Sequence, residues 1–209
     1  MPTNQFTNLD VEKQNKIIET AIAEFAQNGY SNASTNRIVK ECDISKGSLF
    51  KYFESKEELY FFIMDTVADE MMRDMERGLG ELSAELFQRL IDYSTLEISW
   101  YIKNPMKGRL LIGMAQEKDA EIRNKIDERY GGKGENVYYG LLEGISEGTL
   151  KGNKERIADI LKWVLQGFNK EFLDTVDREK ESFEQLKEHY FQKLTEYITI
   201  LKQGFTKEV

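Results

Sequence analysis

The sequence predicts an all-α fold, in which a three-helix N-terminal domain precedes a larger helical domain. Three observations support this prediction. Apolar residues recur every three or four positions over long segments, as on one face of a helix. The only prolines among 209 residues are Pro2 and Pro105, so long stretches contain no helix breaker. A composition of 40% hydrophobic and 32% charged residues is ordinary for a soluble, helix-rich protein with a substantial core.

The first predicted helix begins after Asp10, which is suited to capping it. Ile17, Ala21 and Phe25 fall on one side of this helix. Gly29 is expected to end it, because glycine adopts a positive φ without steric cost. The helix would therefore pack its apolar side against whatever follows.

A short helix and a tight turn are predicted next. Ser34 can cap the helix, and Ile38, Val39 and Cys42 have the spacing of one inward face. Asp43 breaks that pattern and begins the turn. We expect some strain there, because aspartate tolerates a left-handed backbone less well than glycine.

A second short helix follows, predicted from Lys46 to Phe53. Ser45 can cap it, and Leu49 and Phe53 are spaced to be buried together. Two short helices joined by such a turn form a helix-turn-helix, whose second helix is sized for the DNA major groove. The opposite face is small, basic or hydroxyl-bearing, with Lys46, Gly47, Ser48, Lys51 and Tyr52.

The run from Ser45 to Leu59 resembles the signature of TetR/AcrR-type transcriptional regulators, and Ser55 with Glu58 forms a capping box for a third helix. The resemblance covers about the first quarter of the chain and implies a helix-turn-helix DNA-binding domain over residues 1–56. It implies a helical ligand-binding and dimerisation domain over residues 57–209. Two departures are Cys42-Asp43 in place of Ala-Gly and Phe50 in place of the usual tyrosine, whose hydroxyl could have bound a phosphate.

Eight residues are predicted to contact DNA. Lys46 can reach a base edge or a phosphate, Gly47 allows close approach to the groove, and Ser48 and Lys51 project towards base edges. The resemblance implies phosphate contacts for four more residues, Thr35, Asn36, Tyr52 and Lys56. We expect Lys56→Ala to weaken binding to all DNA equally, and Ser48 or Lys51 substitutions to alter sequence preference.

The larger domain is predicted to contain a helix ending near Arg77, helices over about 81–103 and 106–116, and a helical pattern over 119–150. The Gly131–Gly134 cluster either breaks or distorts that last pattern. Two strongly amphipathic helices follow the Gly152-Asn153 turn. Their wide apolar stripes are covered either within the chain or by the same helices of a second copy, and the resemblance implies a homodimer through these helices.

The net charge of −8 lies outside the helix-turn-helix. Residues 1–56 contain seven basic and seven acidic residues, and the segment from Arg37 to Lys56 contains five basic against three acidic. Phosphate contacts act within about a Debye length of ~10 Å, so a local excess of positive charge suffices for DNA.

Catalysis and metal binding are not predicted. One histidine, His189, and one cysteine allow no dependable catalytic set or zinc site. No cofactor is expected. A lone cysteine, the absence of a signal-peptide pattern and the absence of a long apolar run predict a cytoplasmic protein without a membrane span.

The resemblance implies a ligand-responsive repressor that binds a near-palindromic operator as a homodimer and is released by a small effector. The alternative is a DNA-binding dimer without a small-molecule inducer. Acids such as Glu97, Glu117 and Glu143 would suit a lipophilic cation, whereas an acyl chain or a flat aromatic molecule also fits an aromatic pocket. The predicted effector-lining residues are Phe87, Trp100, Tyr101, Met114, Tyr138, Tyr139, Leu142, Trp163 and Phe168.

Overall fold

The computed structural model describes residues 2–115, 117–130, 140–142, 151–176 and 183–206. All secondary-structure elements of four or more residues in this part of the chain are α-helices, as the sequence predicts. They are α1 (Asn4–Thr7), α2 (Val11–Asn32), α3 (Thr35–Glu41), α4 (Lys46–Tyr52), α5 (Lys56–Leu79), α6 (Leu86–Lys103), α7 (Pro105–Ala115), α8 (Ala120–Tyr130), α9 (Lys154–Val176) and α10 (Phe183–Phe205). The Gly131–Gly134 cluster, Tyr138 and Tyr139 lie outside the described residues.

The chain divides into two compact units. The first comprises Met1–Asp74 and Asn104–Lys125, and the second comprises Met75–Lys103 and Ile126–Val209. The unit that contains the helix-turn-helix therefore extends past residue 56. A DNA-binding domain bounded at residue 56 stays a prediction.

In the first unit, α2 packs against α3 and α7. Asp10 caps α2 by accepting the Lys13 N–H at 2.9 Å, as predicted. Gly29 has a φ of 66°, and one further helical turn follows it, so it kinks the helix rather than ending it. Lys107 donates to the Glu70 carboxylate of α5 at 2.5 and 2.7 Å, and Lys125 donates to Glu57 at 2.8 and 2.9 Å. These ion pairs join α7 and the start of α8 to α5.

In the second unit, α6 packs against α10, and α9 also packs against α10. The helix α6 begins at Leu86 and not near residue 81, because the Glu85 carboxylate accepts the Gln88 N–H at 2.7 Å and so caps the helix there. The core side chains of α9 and α10 include Ile157, Leu161, Leu165, Phe168, Phe172, Leu186, Tyr190, Leu194 and Ile198. No described helix combines the length and the apolar character that a membrane crossing requires.

Candidate nucleic-acid interface

The helix α4 is capped and anchored as the sequence predicts. The Ser48 N–H donates to Oγ of Ser45 at 3.0 Å, and the two serine hydroxyls lie 2.8 Å apart. Leu49 and Phe53 are each only 1% exposed. The inward side of α4 is therefore fixed by apolar packing, and its orientation follows from that packing.

The outward side of α4 is open to solvent. Lys46, Gly47, Phe50 and Lys51 are exposed, and Ser48 is half-buried next to its capping partner. A Cβ atom added to Gly47 would meet its nearest protein neighbour, Oγ of Ser45, at 3.7 Å. The fold therefore has room for a side chain at this position.

Phe50 is a member of the outward face that the sequence analysis missed. From the sequence, Phe50 stands out only because it lacks the hydroxyl of the usual tyrosine, yet its side chain is 39% exposed. By helical periodicity it falls between Lys46 and Gly47. The signal was present, since an aromatic residue one position after buried Leu49 cannot share the buried face.

The turn before α4 contains the strain that the sequence predicts. Asp43 has a φ of 54°, in the left-handed region. The Ile44 N–H donates to the Val39 carbonyl at 3.0 Å, and Cys42 is buried. A left-handed residue other than glycine costs about 1–2 kcal/mol, so the packing of both flanking helices maintains this turn.

A buried carboxylate on α2 holds the start of α3. Glu24, 9% exposed, accepts the Ser34 N–H at 2.8 Å and the Arg37 Nε–H at 3.0 Å. Hydrogen bonding from Arg37 lowers the pKa of Glu24 more than burial raises it. The predicted cap by the Ser34 side chain is wrong, because no such bond forms and the Ser34 backbone is held by Glu24 instead.

The start of α3 presents two predicted contacts. Thr35 is half-buried and Asn36 is exposed in the first turn of the helix. Both lie beside the Glu24, Ser34 and Arg37 group, so the position of this helix end depends on that group. Their contact with a phosphate stays a prediction.

A short N-terminal helix supports the end of α4, and the sequence analysis did not predict it. Thr3 donates its N–H to the Tyr52 carbonyl at 3.0 Å and its hydroxyl to the Lys51 carbonyl at 2.7 Å. Phe6 is buried, with its ring centroid 4.8 Å from that of Phe53 and 6.1 Å from that of Tyr52. Tyr52 is thus half-buried at the edge of the outward face.

Lys56 makes contacts inside the protein. Its ammonium donates to the carbonyls of Tyr30 at 2.8 Å, Ala33 at 3.3 Å and Ser31 at 3.4 Å. It also lies 4.5 Å from the centroid of the Tyr30 ring, a cation–π distance. A phosphate contact by Lys56 stays a prediction, but its substitution would also disturb the end of α2.

The predicted effector-lining residues separate into groups. Phe87, Trp100, Leu142 and Phe168 are buried in the second unit, where Tyr101 is half-buried, and half-buried Met114 belongs to the first unit. Trp163 is 65% exposed on α9, so its role as a pocket wall stays a prediction that this exposure does not favour. It falls on the side of α9 opposite the buried stripe, which is why the periodicity of that stripe excludes it.

The second unit also contains a buried polar group. Nδ2 of Asn169 on α9 donates to Oε2 of Glu97 on α6 at 2.8 Å, and the Tyr190 hydroxyl on α10 donates to Oδ1 of Asn169 at 2.5 Å. Burial raises the pKa of Glu97 to about 7, and the Asn169 hydrogen bond offsets this only in part. Three helices therefore meet at one carboxyl group.

Other kinds of site find less support in the part of the chain that the structure describes. No group of three or more His, Cys, Asp or Glu side chains there is placed to hold a metal ion. A shallow depression on the polar side of α10 is lined by Glu184, Gln185, Glu188, His189 and Gln192. None of the predicted effector-lining residues contributes to it.

Comparison with known proteins agrees with this geometry. A family model described as "Bacterial regulatory proteins, tetR family" matches residues 17–61, which contain the helix-turn-helix. The whole chain superposes on a TetR family transcriptional regulator from Chloroflexus aurantiacus J-10-fl with a TM-score of 0.73 and 22% identity, covering 100% of both chains. The chain resembles TetR/AcrR-type regulators, in its family match over residues 17–61 and in its fold over the whole length.

Two curated relatives from Bacillus subtilis (strain 168) extend the comparison. The uncharacterized HTH-type transcriptional regulator YuxN is 48% identical over 59 residues, which are 28% of this chain and only 20% of that relative. The fatty acid metabolism regulator protein is 25% identical over 140 residues, covering 66% of this chain and 71% of that protein. Both names are those of regulators, which agrees with a sequence in which catalysis is not predicted.

Proposed function

We propose that this protein is a transcriptional repressor that binds a near-palindromic operator as a homodimer and is released by a small, mostly apolar or aromatic effector. The main support for this proposal is the exposed outward face of α4. Lys46, Gly47 and Lys51 are exposed together, while Leu49 and Phe53 anchor the helix from behind. A short helix exposed in this way can enter a major groove.

The contacts divide into two kinds. Lys46, Ser48, Lys51 and Phe50 face the bases, whereas Thr35, Asn36, Tyr52 and Lys56 lie at the edges where phosphates would pass. The lysines of α4 supply the charge that a phosphate backbone requires. Sequence preference is therefore assigned to the outward face and general affinity to its edges.

The exposed apolar residues of α9 and α10 support the homodimer. Trp163 and Ile160 on α9 and Phe191, Tyr197 and Ile200 on α10 are large apolar side chains left exposed by a single chain. A second copy would cover them through a two-fold interface. The two copies of α4 should then lie about 34–36 Å apart, one turn of DNA.

The dimer has its own test. Trp163→Glu places a charge in the proposed interface without touching the core, so the helical content should be retained while the mass falls to that of a monomer. Glu155→Gln, also exposed on α9, is the control for a surface change. A dimeric Trp163→Glu variant in sedimentation equilibrium would contradict this interface.

The effector response is supported by the second unit. Its core brings aromatic side chains, including Trp100, Tyr101 and Phe168, to the region of the Glu97 carboxyl group. The name of the relative that regulates fatty acid metabolism is consistent with an apolar effector. The dimer would have conformations that differ in the distance between the two α4 helices. An effector that binds better to a conformation unable to bind the operator would shift the equilibrium away from the DNA-bound form.

Selection of DNA fragments on the purified protein tests the function as a whole. The expected result is enrichment of a near-palindromic site, followed by its release by one class of compound in a compound screen. Failure to enrich any sequence would contradict operator binding. Enrichment without release by any compound class would instead favour the DNA-binding dimer that has no small-molecule inducer.

A further inference from the structure

The second unit contains a desolvated carboxyl group that no positive charge of the described residues balances. Glu97 lies in the middle of α6, and Tyr93 and Tyr101 are placed one turn before and after it on the same face. Among the described residues, the Glu97 carboxyl receives one hydrogen bond, from Asn169 at 2.8 Å, and forms no ion pair. One of its two oxygens is left without a partner in the described structure.

The neighbouring polar groups form no hydrogen bond to that oxygen in the described structure. The Asn169 carbonyl oxygen already accepts the Tyr190 hydroxyl at 2.5 Å, and both residues are buried. The Ser94 hydroxyl, buried one turn before Glu97, is close enough to Tyr190 to lower its pKa slightly against the dominant effect of burial. It nevertheless has no hydrogen bond of acceptable geometry in the described structure, so a second polar group here lacks a partner.

Glu97 is desolvated without being fully buried. Its surroundings exclude enough water to raise its pKa to about 7, yet the residue is only half-buried. Ser94 and Ile98, its neighbours on either side of α6, have almost no accessible surface. Because Glu97 keeps accessible surface, a ligand group could reach its carboxyl.

The negative charge is not needed for the fold. A glutamine at position 97 could keep the hydrogen bond to Asn169 and would avoid the desolvation cost of an unpaired carboxylate. Besides burial, the Glu97 charge helps to raise the pKa of Tyr93, Tyr101 and Tyr190, so three aromatic side chains lie close to this carboxyl, and rings of this kind can contact a cation. An apolar cation would balance the negative charge of Glu97 and contact the tyrosine rings at the same time.

We propose that Glu97 is the anionic anchor of the effector site and that the effector is an apolar organic cation. The inference rests on the proposed effector-responsive function and names the chemical class of that effector. The cation would pair with the oxygen that Asn169 leaves open. Tyr93 and Tyr101 would contact its apolar or aromatic body.

Binding of such a cation should depend on pH. The groups that face Glu97 are Tyr93 and Tyr101 from α6, Tyr190 from α10 and the neutral Asn169 from α9, and burial raises the pKa of all three phenols further from neutrality. Glu97 is then the group that titrates near pH 7. A cation binds its ionised form, so affinity should rise about tenfold between pH 6 and pH 8.

Calorimetric titration of the purified protein with two matched probes tests the proposal. The first is (2-naphthylmethyl)trimethylammonium, whose charge is permanent, and the second is its uncharged isostere, 2-neopentylnaphthalene. At pH 8, wild-type protein should bind the cation at least tenfold more tightly than the uncharged isostere. Glu97→Gln should lose both this preference and the pH dependence, while Glu128→Gln, an exposed control on α8, should keep both.

Equal affinity for the two probes would overturn the proposal. Unchanged cation binding by a Glu97→Gln variant with wild-type circular dichroism would also overturn it, as would tighter binding of the anion dodecanoate than of the cation. These titrations contain no DNA. Failure of the proposed function would appear elsewhere, as the absence of any enriched DNA sequence in the selection.

Discussion

The hydroxyl of Thr3 donates a 2.7 Å hydrogen bond to the backbone carbonyl of Lys51. Thr3 precedes the first helix, and Lys51 lies in the last turn of α4. The bond satisfies a carbonyl at a helix end, where intrahelical partners are lacking. The N-terminal segment therefore helps to hold the helix that is proposed to read DNA.

Phe6→Ala should destabilise the protein strongly. The Phe6 ring is buried against Phe53 and lies 5.5 Å from the centroid of Phe62, so its removal leaves a cavity in the support of α4. We expect a loss of about 3–5 kcal/mol in the free energy of unfolding, measured by urea denaturation. Gln5→Ala, an exposed neighbour, should change it by less than about 0.5 kcal/mol. Similar losses in both variants would show that the ring is not a core residue.

Arg37→Ala should weaken the junction of α2 and α3. It removes the guanidinium that binds buried Glu24, so we expect a clear loss in the free energy of unfolding, measured by urea denaturation. Lys13→Ala breaks only an exposed pair with Asp10 and should cause a smaller loss.

The same junction should respond to acid. The pKa of Glu24 is lowered from its ordinary value of 4.5, so its stabilising effect is present above that value and is lost as the pH falls through the lowered one. The stability difference between wild type and Glu24→Gln should therefore shrink on acidification. A difference that stays constant from pH 7 to pH 3 would contradict the ionised pair.

Glu97→Gln should stabilise the protein at alkaline pH. The pKa of Glu97 is raised from 4.5 to about 7, so the unfolded chain releases the Glu97 proton more readily and stability falls as the pH rises between these values. The variant lacks this loss, so its free energy of unfolding should exceed that of wild type by roughly 2–3 kcal/mol at pH 8 but not at pH 4. Denaturant melts at the two pH values make the measurement. If the variant were less stable than wild type at pH 8, interactions inside the protein would have to offset the desolvation cost of the Glu97 carboxylate.

Phe50 should read a thymine methyl group. Its exposed ring lies between Lys46 and Gly47 on the outward face of α4, and apolar contact with this methyl is one way that a helix distinguishes bases. Replacing the contacted thymine by uracil in the selected site should weaken wild-type binding about fourfold, since about 0.8 kcal/mol accompanies one buried methyl. Phe50→Ala should not respond to the replacement. Uracil scanning that leaves wild-type affinity unchanged at every position would exclude the contact.

Features set by nearby residues could be predicted from the sequence. The Ser45 cap, the buried Leu49 and Phe53 pair and the left-handed Asp43 depend on neighbours within a few positions, and the structure confirms each of them. The Ser55 and Glu58 capping box is confirmed only in part. The Glu58 N–H binds Oγ of Ser55, but the Glu58 carboxylate accepts the N–H of Glu54 instead of that of Ser55.

Features set by distant residues could not be predicted. The helix α1 is too short to show periodicity, and Phe6 is buried only because α4 and α5 meet it. The Glu24 and Arg37 pair joins two helices, and nothing in either helix alone reveals the partner. Trp163 shows a further limit, because apolar character alone does not tell a pocket wall from an exposed surface.

The affinity of Gly47→Leu for the selected DNA tests the central claim most directly, which is that the outward face of α4 enters a groove. Position 47 is exposed and a Cβ atom there meets no protein atom closer than 3.7 Å, so urea denaturation should show a stability equal to or above that of wild type. In a groove the leucine would collide with the bases, and we predict at least a tenfold loss of affinity with stability retained. Wild-type affinity in the stable Gly47→Leu variant would contradict the account.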